Sequence, residues 1–381
     1  MKRIYLDNAA TTQPHPEVIE AMKNCMDSCW GNPSSIHAYG REARTIVDRA
    51  RKQIAELIGA APSEIFFTSG GTEANNLALR QTVHSMGIKT AITSPTEHHA
   101  VLHTLEDLEK DGLIKLHILN VDDKGRVDLE QLESLLKTNP QSLVSLMHAN
   151  NEIGTKLPLE KVSDMVKEYG ALLHTDAVQT MGHYRFDLNK LAVNFTNGAA
   201  HKFHGPKGIG FCYIKSGTTI HPLITGGAQE RNMRAGTENL YGIVGVAKAM
   251  EVAYRDLDTD ATYVRNLKDT MARQLQERIP GIEFNGDISA DSLYTVLNVS
   301  LPENDLSEMA LFKLDIQGVC ASGGSACSSG SNVGSHVIAA IKPNSTRPAI
   351  RFSFSKFNTL DEIMETVNLL EKMLVKTSAT V

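Results

Sequence analysis

The chain has 381 residues, 41% of them hydrophobic, enough to bury a large core and to divide into two domains. Its formal net charge is -6 and no run of lysine or arginine forms a basic stripe, so nucleic acid is excluded as the expected partner. No apolar stretch reaches the length of a membrane span, no signal-like apolar region follows Met1, and five cysteines make an odd number for a disulfide framework. The expectation is a cytoplasmic protein with no membrane partner and at least one free thiol.

Ile4 to Asp7 reads as a short strand, and the small, polar residues Asn8 to Pro14 as a loop suited to a pocket wall. A helix carries Val18 through Met26. Cys25 and Cys29, four apart on that pattern, read as core residues or as half of a metal site, with core packing the better reading. Trp30-Gly31-Asn32-Pro33-Ser34-Ser35-Ile36-His37 is an irregular segment held by Gly and Pro, and Arg41 to Leu57 is a helix closing at Gly59. The apolar strand Ile65 to Thr68 then runs into Ser69-Gly70-Gly71-Thr72-Glu73 and a helix through Leu77 and Leu79. A strand, a glycine turn and a helix N-terminus suit a phosphate, but from these residues alone the better reading is that Thr72 caps the helix and Gly71 makes the turn.

After a strand at Thr90 to Thr93 comes Glu97-His98-His99, with His103 one helical turn on. Those histidines read as metal ligands or as helix positions, and solvated helix positions are favoured for His99 and His103. Strand Leu116 to Leu119, helix Leu129 to Leu136, strand Leu143 to Met147 and helix Glu160 to Tyr169 continue an alternation that argues for a parallel sheet with helices on its faces. Asn150-Asn151 follows one strand end, and Asp176 with Gln179 follows another, the run Ala171 to Leu173. The run Val193 to Thr196 precedes Ala199-Ala200-His201-Lys202-Phe203-His204-Gly205-Pro206, which sets Lys202 just past a third strand end. Alone, Lys202 is as readily a surface cation; paired with Asp176, it matches the lysine and the acid that pyridoxal-phosphate enzymes require.

Gly210 to Ile214 is a strand, and its Cys212 reads as inert. A polar, glycine-rich loop spans Gly226 to Thr237, and a long helix from Tyr241 past Leu257 links two domains. Strands at Thr295 to Ser300, Val319 to Ala321 and Ala349 to Ser353, with Cys320 a strand residue like Cys212, suggest a smaller α/β domain. The glycine- and serine-rich segment Ser322 to Ser335 is expected to be mobile, and its Cys327 reads either as an incidental thiol in a linker or as a nucleophile.

In this order the motifs resemble the cysteine desulfurases of the NifS/IscS type, in the class V aminotransferase branch of the fold-type I pyridoxal-phosphate enzymes. The likeness runs from Tyr5-Leu6-Asp7-Asn8-Ala9-Ala10-Thr11-Thr12 to Ile350-Arg351-Phe352-Ser353. It implies an α/β fold with a mostly parallel sheet flanked by helices in a large domain (13–255), and a smaller α/β domain (1–12 and 256–381) that carries the loop 322–335. It implies pyridoxal 5'-phosphate on Lys202, Asp176 on the ring nitrogen, His98 stacked on the ring as proton shuttle, and Asn151 and Gln179 about the ring. Gly71, Thr72 and His201 match phosphate-binding positions, and Thr237 matches a residue reaching the phosphate of a neighbouring subunit, hence a homodimer. Arg351 matches the clamp on the substrate carboxylate, and Asn32 lies in a stretch lining the entrance. Cys327 matches the thiol that takes sulfur from L-cysteine as a persulfide, leaves L-alanine and passes sulfur to an acceptor such as an iron-sulfur scaffold protein. No metal is implied.

Two departures stand out. Ala199 replaces a hydroxyl residue that binds phosphate, with Thr196 or Asn197 as candidates to compensate, and Gly323 replaces a serine beside the cysteine loop. The alternatives are another class V enzyme, a selenocysteine lyase or aminotransferase with no need of Cys327, or an inactive sulfur-carrier or scaffold homologue.

Overall fold

The computed structural model describes residues 3–303, 307–323 and 334–375. Cys327, and with it the expected mobility of its loop, lies outside the described residues. The chain begins with β1 (Ile4–Tyr5), α1 (Pro16–Ser28) and α2 (Ala38–Leu57). Pro16 opens α1, where its missing N–H costs nothing, and the His15 ring accepts from Glu17 N–H as cap. Cys25 and Cys29 are both buried in the core that α1 helps to form.

The alternation expected from sequence follows: β2 (Ile65–Thr68), α3 (Gly71–Met86), β3 (Thr90–Thr93), α4 (His99–Lys110), β4 (Lys115–Ile118), α5 (Leu129–Thr138), β5 (Leu143–Ser145), α6 (Leu159–Glu168), β6 (Leu172–Thr175), β7 (Phe195–Ala199) and β8 (Gly210–Ile214). These strands form one seven-stranded sheet in the order β2-β8-β7-β6-β5-β3-β4, in which β8 alone runs against its neighbours. The remaining pairs are parallel, so their C-terminal ends open along one edge.

β7 is displaced from its expected place. It runs to Ala199 because all five of its residues pair with β8, Phe195 opposite Ile214 and Ala199 opposite Gly210. Gly198 is needed inside the strand: a Cβ there would lie 2.7 Å from the Phe211 ring.

Beyond the sheet, α7 (Leu240–Arg278) leads to β9 (Glu283–Asn285), β10 (Val296–Ser300), α8 (Ala310–Ile316), β11 (Val319–Cys320), α9 (His336–Ile341), β12 (Ala349–Ser353) and α10 (Leu360–Leu374). β12, β10 and β9 make an antiparallel three-stranded sheet, and β1 pairs in parallel with β11. Two large apolar clusters divide along α7: one takes its residues up to Tyr254, the other its residues from Val264 onward together with Ile4 and Leu6. No helix among the described residues is long and apolar enough to cross a membrane. Burial pushes the Cys212 thiol up to about 12 and raises that of Cys320 as well, so both are poor nucleophiles at neutral pH.

The fold encloses neutral histidines. His174 and His204 are buried, and loss of hydration lowers each to about 4. The unfolded chain therefore binds protons from about pH 6.5 downward that the native state refuses until about pH 4, so stability falls as pH falls through that window. Two such groups together should remove about 4 kcal/mol between pH 7 and pH 5. Urea unfolding at the two pH values measures this, and equal midpoints would contradict it.

Candidate active site

A cavity of about 280 Å³ lies at the C-terminal edge of the parallel strands. From β2 and its turn, α3 brings Gly71 and Thr72. A Cβ on Gly71 would lie 2.6 Å from Val178 Cγ2, so only glycine lets the start of α3 approach the loop after β6. The first N–H groups of α3 have no acceptor inside the helix and sit at its positive end, which suits an anion. From β7, a single helical turn, Ala200–Lys202, carries His201 and Lys202 to the cavity.

The N-terminal loop forms the wall opposite. Lys202 Nζ donates to the carbonyls of Ala9 (2.7 Å) and Ala10 (2.8 Å), and Gln179 Nε2 donates to Ala9 O at 3.1 Å. His201 pairs with Thr11 Oγ1 at 3.2 Å; burial and the neighbouring cations Lys202 and Lys207 lower its pKa to about 4, so it is neutral. Thr12 closes the loop, its N–H and hydroxyl both donating to His201 O. Asp176, past the end of β6, accepts from Asn75 Nδ2 at 2.7 Å and from Val178 N–H at 2.9 Å.

His98 caps α4: its Nδ1 accepts from Ala100 N–H at 3.1 Å. That bond fixes the tautomer with the proton on Nε2, and burial together with Lys202 lowers the ring's pKa, keeping it neutral. As placed, Nε2 is a hydrogen-bond donor. For His98 to take up a thiol proton at that atom, as expected of a shuttle, the ring must first change tautomer and release Ala100. Glu97 lies behind it, fully buried, its Oε1 accepting from Met147 N–H, and burial raises its carboxyl well above the usual range.

Arg351 enters from β12 and is 1% exposed. Its guanidinium donates to Asp7 Oδ1 at 2.9 Å and Asn151 O at 3.0 Å, while Nε is buried with no partner among the described residues. An unused donor on a fork already held in plane suits a carboxylate. Asn151 lines the same cavity.

Two expected residues lie elsewhere. Thr237 is exposed and does not line this chain's cavity. Asn32 is exposed too, its side-chain oxygen accepting from Ser34 N–H, so the structure does not bring it to the cavity of its own chain. Neither candidate for replacing the hydroxyl missing at Ala199 serves. Asn197 shares the face of Ala199 but spends its amide on Ala177 N–H and Asn75, and Thr196 is buried on the opposite face. His99 is more than a solvated helix position: it pairs with His103 at 3.1 Å and its ring centre lies 4.3 Å from that of His336.

Sequence reasoning missed the anchor of the 226–237 loop. Glu230 is buried, bidentate to Arg51 at 2.7 and 2.8 Å, and also accepts from Phe67 N–H. This fixes the loop to the base of β2 and holds Glu230, Arg231 and Asn232 at positive φ. Only the unusual pairing of a helix-face arginine with a distant loop acid signals it, and nothing local marks the two as partners.

A helix N-terminus beside a neutral imidazole, a carboxylate held by two donors, and a lysine amine share one cavity with an arginine. That donor set fits the phosphate, the ring nitrogen and the aldehyde of pyridoxal phosphate. Comparison with known proteins agrees. The family model described as aminotransferase class-V matches residues 4–365. A curated relative from Dictyoglomus turgidum, a cysteine desulfurase IscS, is 45% identical over 99% of this chain and 96% of that protein. A solved NifS-like protein superposes with a TM-score of 0.90 at 39% identity, covering 98% of this chain and 99% of that one. A structure described as SspA in complex with cysteine matches with a TM-score of 0.80 at 30% identity, covering 94% of this chain and 100% of that one. Likeness of this extent, over a site with that donor set, shows that the chain belongs to the class-V aminotransferase family, among its pyridoxal-phosphate-dependent cysteine desulfurases.

Proposed function

We propose that this cysteine desulfurase divides the conversion of L-cysteine to L-alanine among Lys202, Asp176, His98, Arg351 and Cys327. The observation that carries the reading is the convergence of Lys202, Asp176 and Arg351 on one cavity from three separate strands. Pyridoxal phosphate, when bound, supplies an electron sink for charge developing at the substrate α-carbon. Asp176 holds the proton on the ring nitrogen. Gly71, Thr72 and His201 hold the phosphate, and Asn151 and Gln179 orient the ring. Arg351 binds the substrate carboxylate, Lys202 Nζ removes and returns the proton at the α-carbon, and His98 covers the ring while donating from Nε2. Cys327 as thiolate attacks the substrate sulfur: the S–S bond forms as the carbon–sulfur bond breaks, its electron pair stays with the β-carbon, and that carbon takes up a proton equivalent to the one Cys327 gave up, leaving a persulfide on Cys327 and alanine as the carbon product.

The working unit in this reading is a homodimer. Trp30 (66% exposed), Ile36 (90%) and Tyr39 (50%) present an apolar surface, with the Trp30 and Tyr39 rings stacked at 4.6 Å. In the pair, Thr237 reaches the neighbour's phosphate and makes good the donor missing at Ala199, and Asn32 lies at the substrate entrance. The division into 13–255 and 1–12 with 256–381 rests on the split between the two cores along α7. The sulfur passes in the cytoplasm to a protein acceptor, an iron-sulfur scaffold or another carrier. Purified protein given L-cysteine and a dithiol reductant should release sulfide and alanine in equal amounts and sediment as a dimer. Cysteine left unconsumed, or a fully active monomer at micromolar concentration, would overturn the corresponding half of the reading.

A further inference from the structure

Behind Asp176 lies a set of buried polar side chains that no step above uses. Ser145, His174, Asn75 and Asn197 come from β5, β6, α3 and β7, and each is 1% exposed or less. Every hydrogen-bond direction in the set follows from one backbone group. Ala177 N–H donates to Asn197 Oδ1 at 3.0 Å, so Asn197 turns its Nδ2 toward Asn75. The Asn75 atom that receives it is therefore the oxygen, which places Asn75 Nδ2 against Asp176 Oδ2 at 2.7 Å. That same oxygen lies 3.0 Å from His174 Nε2 and has no proton to give, so Nε2 carries one. Nδ1 of the neutral ring is then an acceptor, and Ser145 Oγ donates to it at 2.8 Å. The chain of donors runs one way, from Ser145 through His174 and Asn75 to the carboxylate.

We propose that His174 and Asn75 are positioning residues for the reaction, a one-way relay of hydrogen-bond donors that holds the Asp176 carboxylate as an acceptor against the ring nitrogen of the cofactor. The inference rests on the assignment of Asp176 to that nitrogen. With two donors on its oxygen, the Asn75 amide is polarised and its N–H strengthened as a donor, and the cooperativity is greatest where water is excluded. The other carboxylate oxygen is fixed by Val178 N–H at 2.9 Å, so the plane of the group is set from both ends. A carboxylate so held cannot swing to another partner or accept a proton on the Asn75 side. A histidine serves where a simple amide donor also fits because its ring spans from β5 to α3 and ties the carboxylate to the sheet.

Pyridoxal phosphate labelled with ¹⁵N at the ring reports the protonation of that nitrogen directly. In the wild-type holoenzyme the signal should stand at the protonated position. His174→Leu removes the donor to Asn75; the signal should move toward the unprotonated position and the cofactor dissociation constant should rise about tenfold or more. His174→Gln places an amide N–H near the same point and should restore both readings, which a merely structural role for the ring does not explain. Asn75→Ala should reproduce the loss, and serves if His174→Leu does not fold. Asp176→Ala is the reference: a signal unmoved by that change would remove the assignment of Asp176 itself. A signal that moves in Asp176→Ala but stays in folded His174→Leu or Asn75→Ala would overturn the relay and leave Asp176 in place.

Discussion

Lys202→Ala should abolish the lysine–cofactor bond and lower turnover by about ten-thousandfold or more. Lys202 is the one lysine among the described residues lining the cavity, so no second amine stands ready to take its place. The loss should be one of chemistry and not of structure. Its Nζ donates to the carbonyls of Ala9 and Ala10 in the N-terminal loop, and unpairing two acceptors beside an open cavity costs about 1 kcal/mol apiece. Borohydride reduction followed by peptide mapping measures the bond: wild-type protein should yield a single modified peptide containing Lys202, and the variant none. A modified lysine elsewhere in the variant would mean that another residue carries the cofactor.

Cys327→Ser should separate the halves of the reaction. The variant keeps the cavity residues and should therefore bind pyridoxal phosphate and L-cysteine with unchanged affinity, read from the visible spectrum. Sulfide release should drop to the background of the assay, because a serine hydroxyl at neutral pH is no substitute for a thiolate attacking sulfur. The other cysteines offer no replacement: Cys25, Cys29 and Cys212 are buried, and the thiol of Cys320 is raised. Near-normal sulfide release would leave the cofactor site standing and sink the role of Cys327. It would also favour a lyase such as a selenocysteine lyase, which needs no such thiol to break the bond from carbon to the chalcogen.

Much of the site was legible in the chain because strand ends announce themselves. An apolar run that breaks into His-Thr-Asp or His-Lys-Phe-His-Gly-Pro marks where a buried strand meets polar chemistry, and Asp176 and Lys202 lie where those breaks put them. The alternation of strands and helices likewise gave the large sheet, whereas β7 was misplaced because Gly198 serves a ring packed across the strand, which local pattern does not encode. What stayed hidden were partnerships across sequence: Arg51 with Glu230, 179 residues apart, and Lys202 with the carbonyls of Ala9 and Ala10. A carbonyl has no letter of its own in a sequence. The tautomer of His98 was hidden for the same reason, since it is a backbone N–H two residues on that decides it. Asn197 looked free to bind phosphate until the relay claimed its amide.

The N-terminal loop imposes an order on synthesis. Its residues leave the ribosome long before their partners: Ile4 waits for Val319, and Asp7 for Arg351, 344 residues later. The large sheet can assemble while these early residues are still unpaired, because its core draws nothing from them. A nascent chain that has emerged past the sheet but not past residue 326 carries Lys202 without Cys327 or Arg351. On the proposed roles of Arg351 and Cys327, sulfur mobilisation waits until both have been added, and a product cut short of them with an intact sheet should release no sulfide.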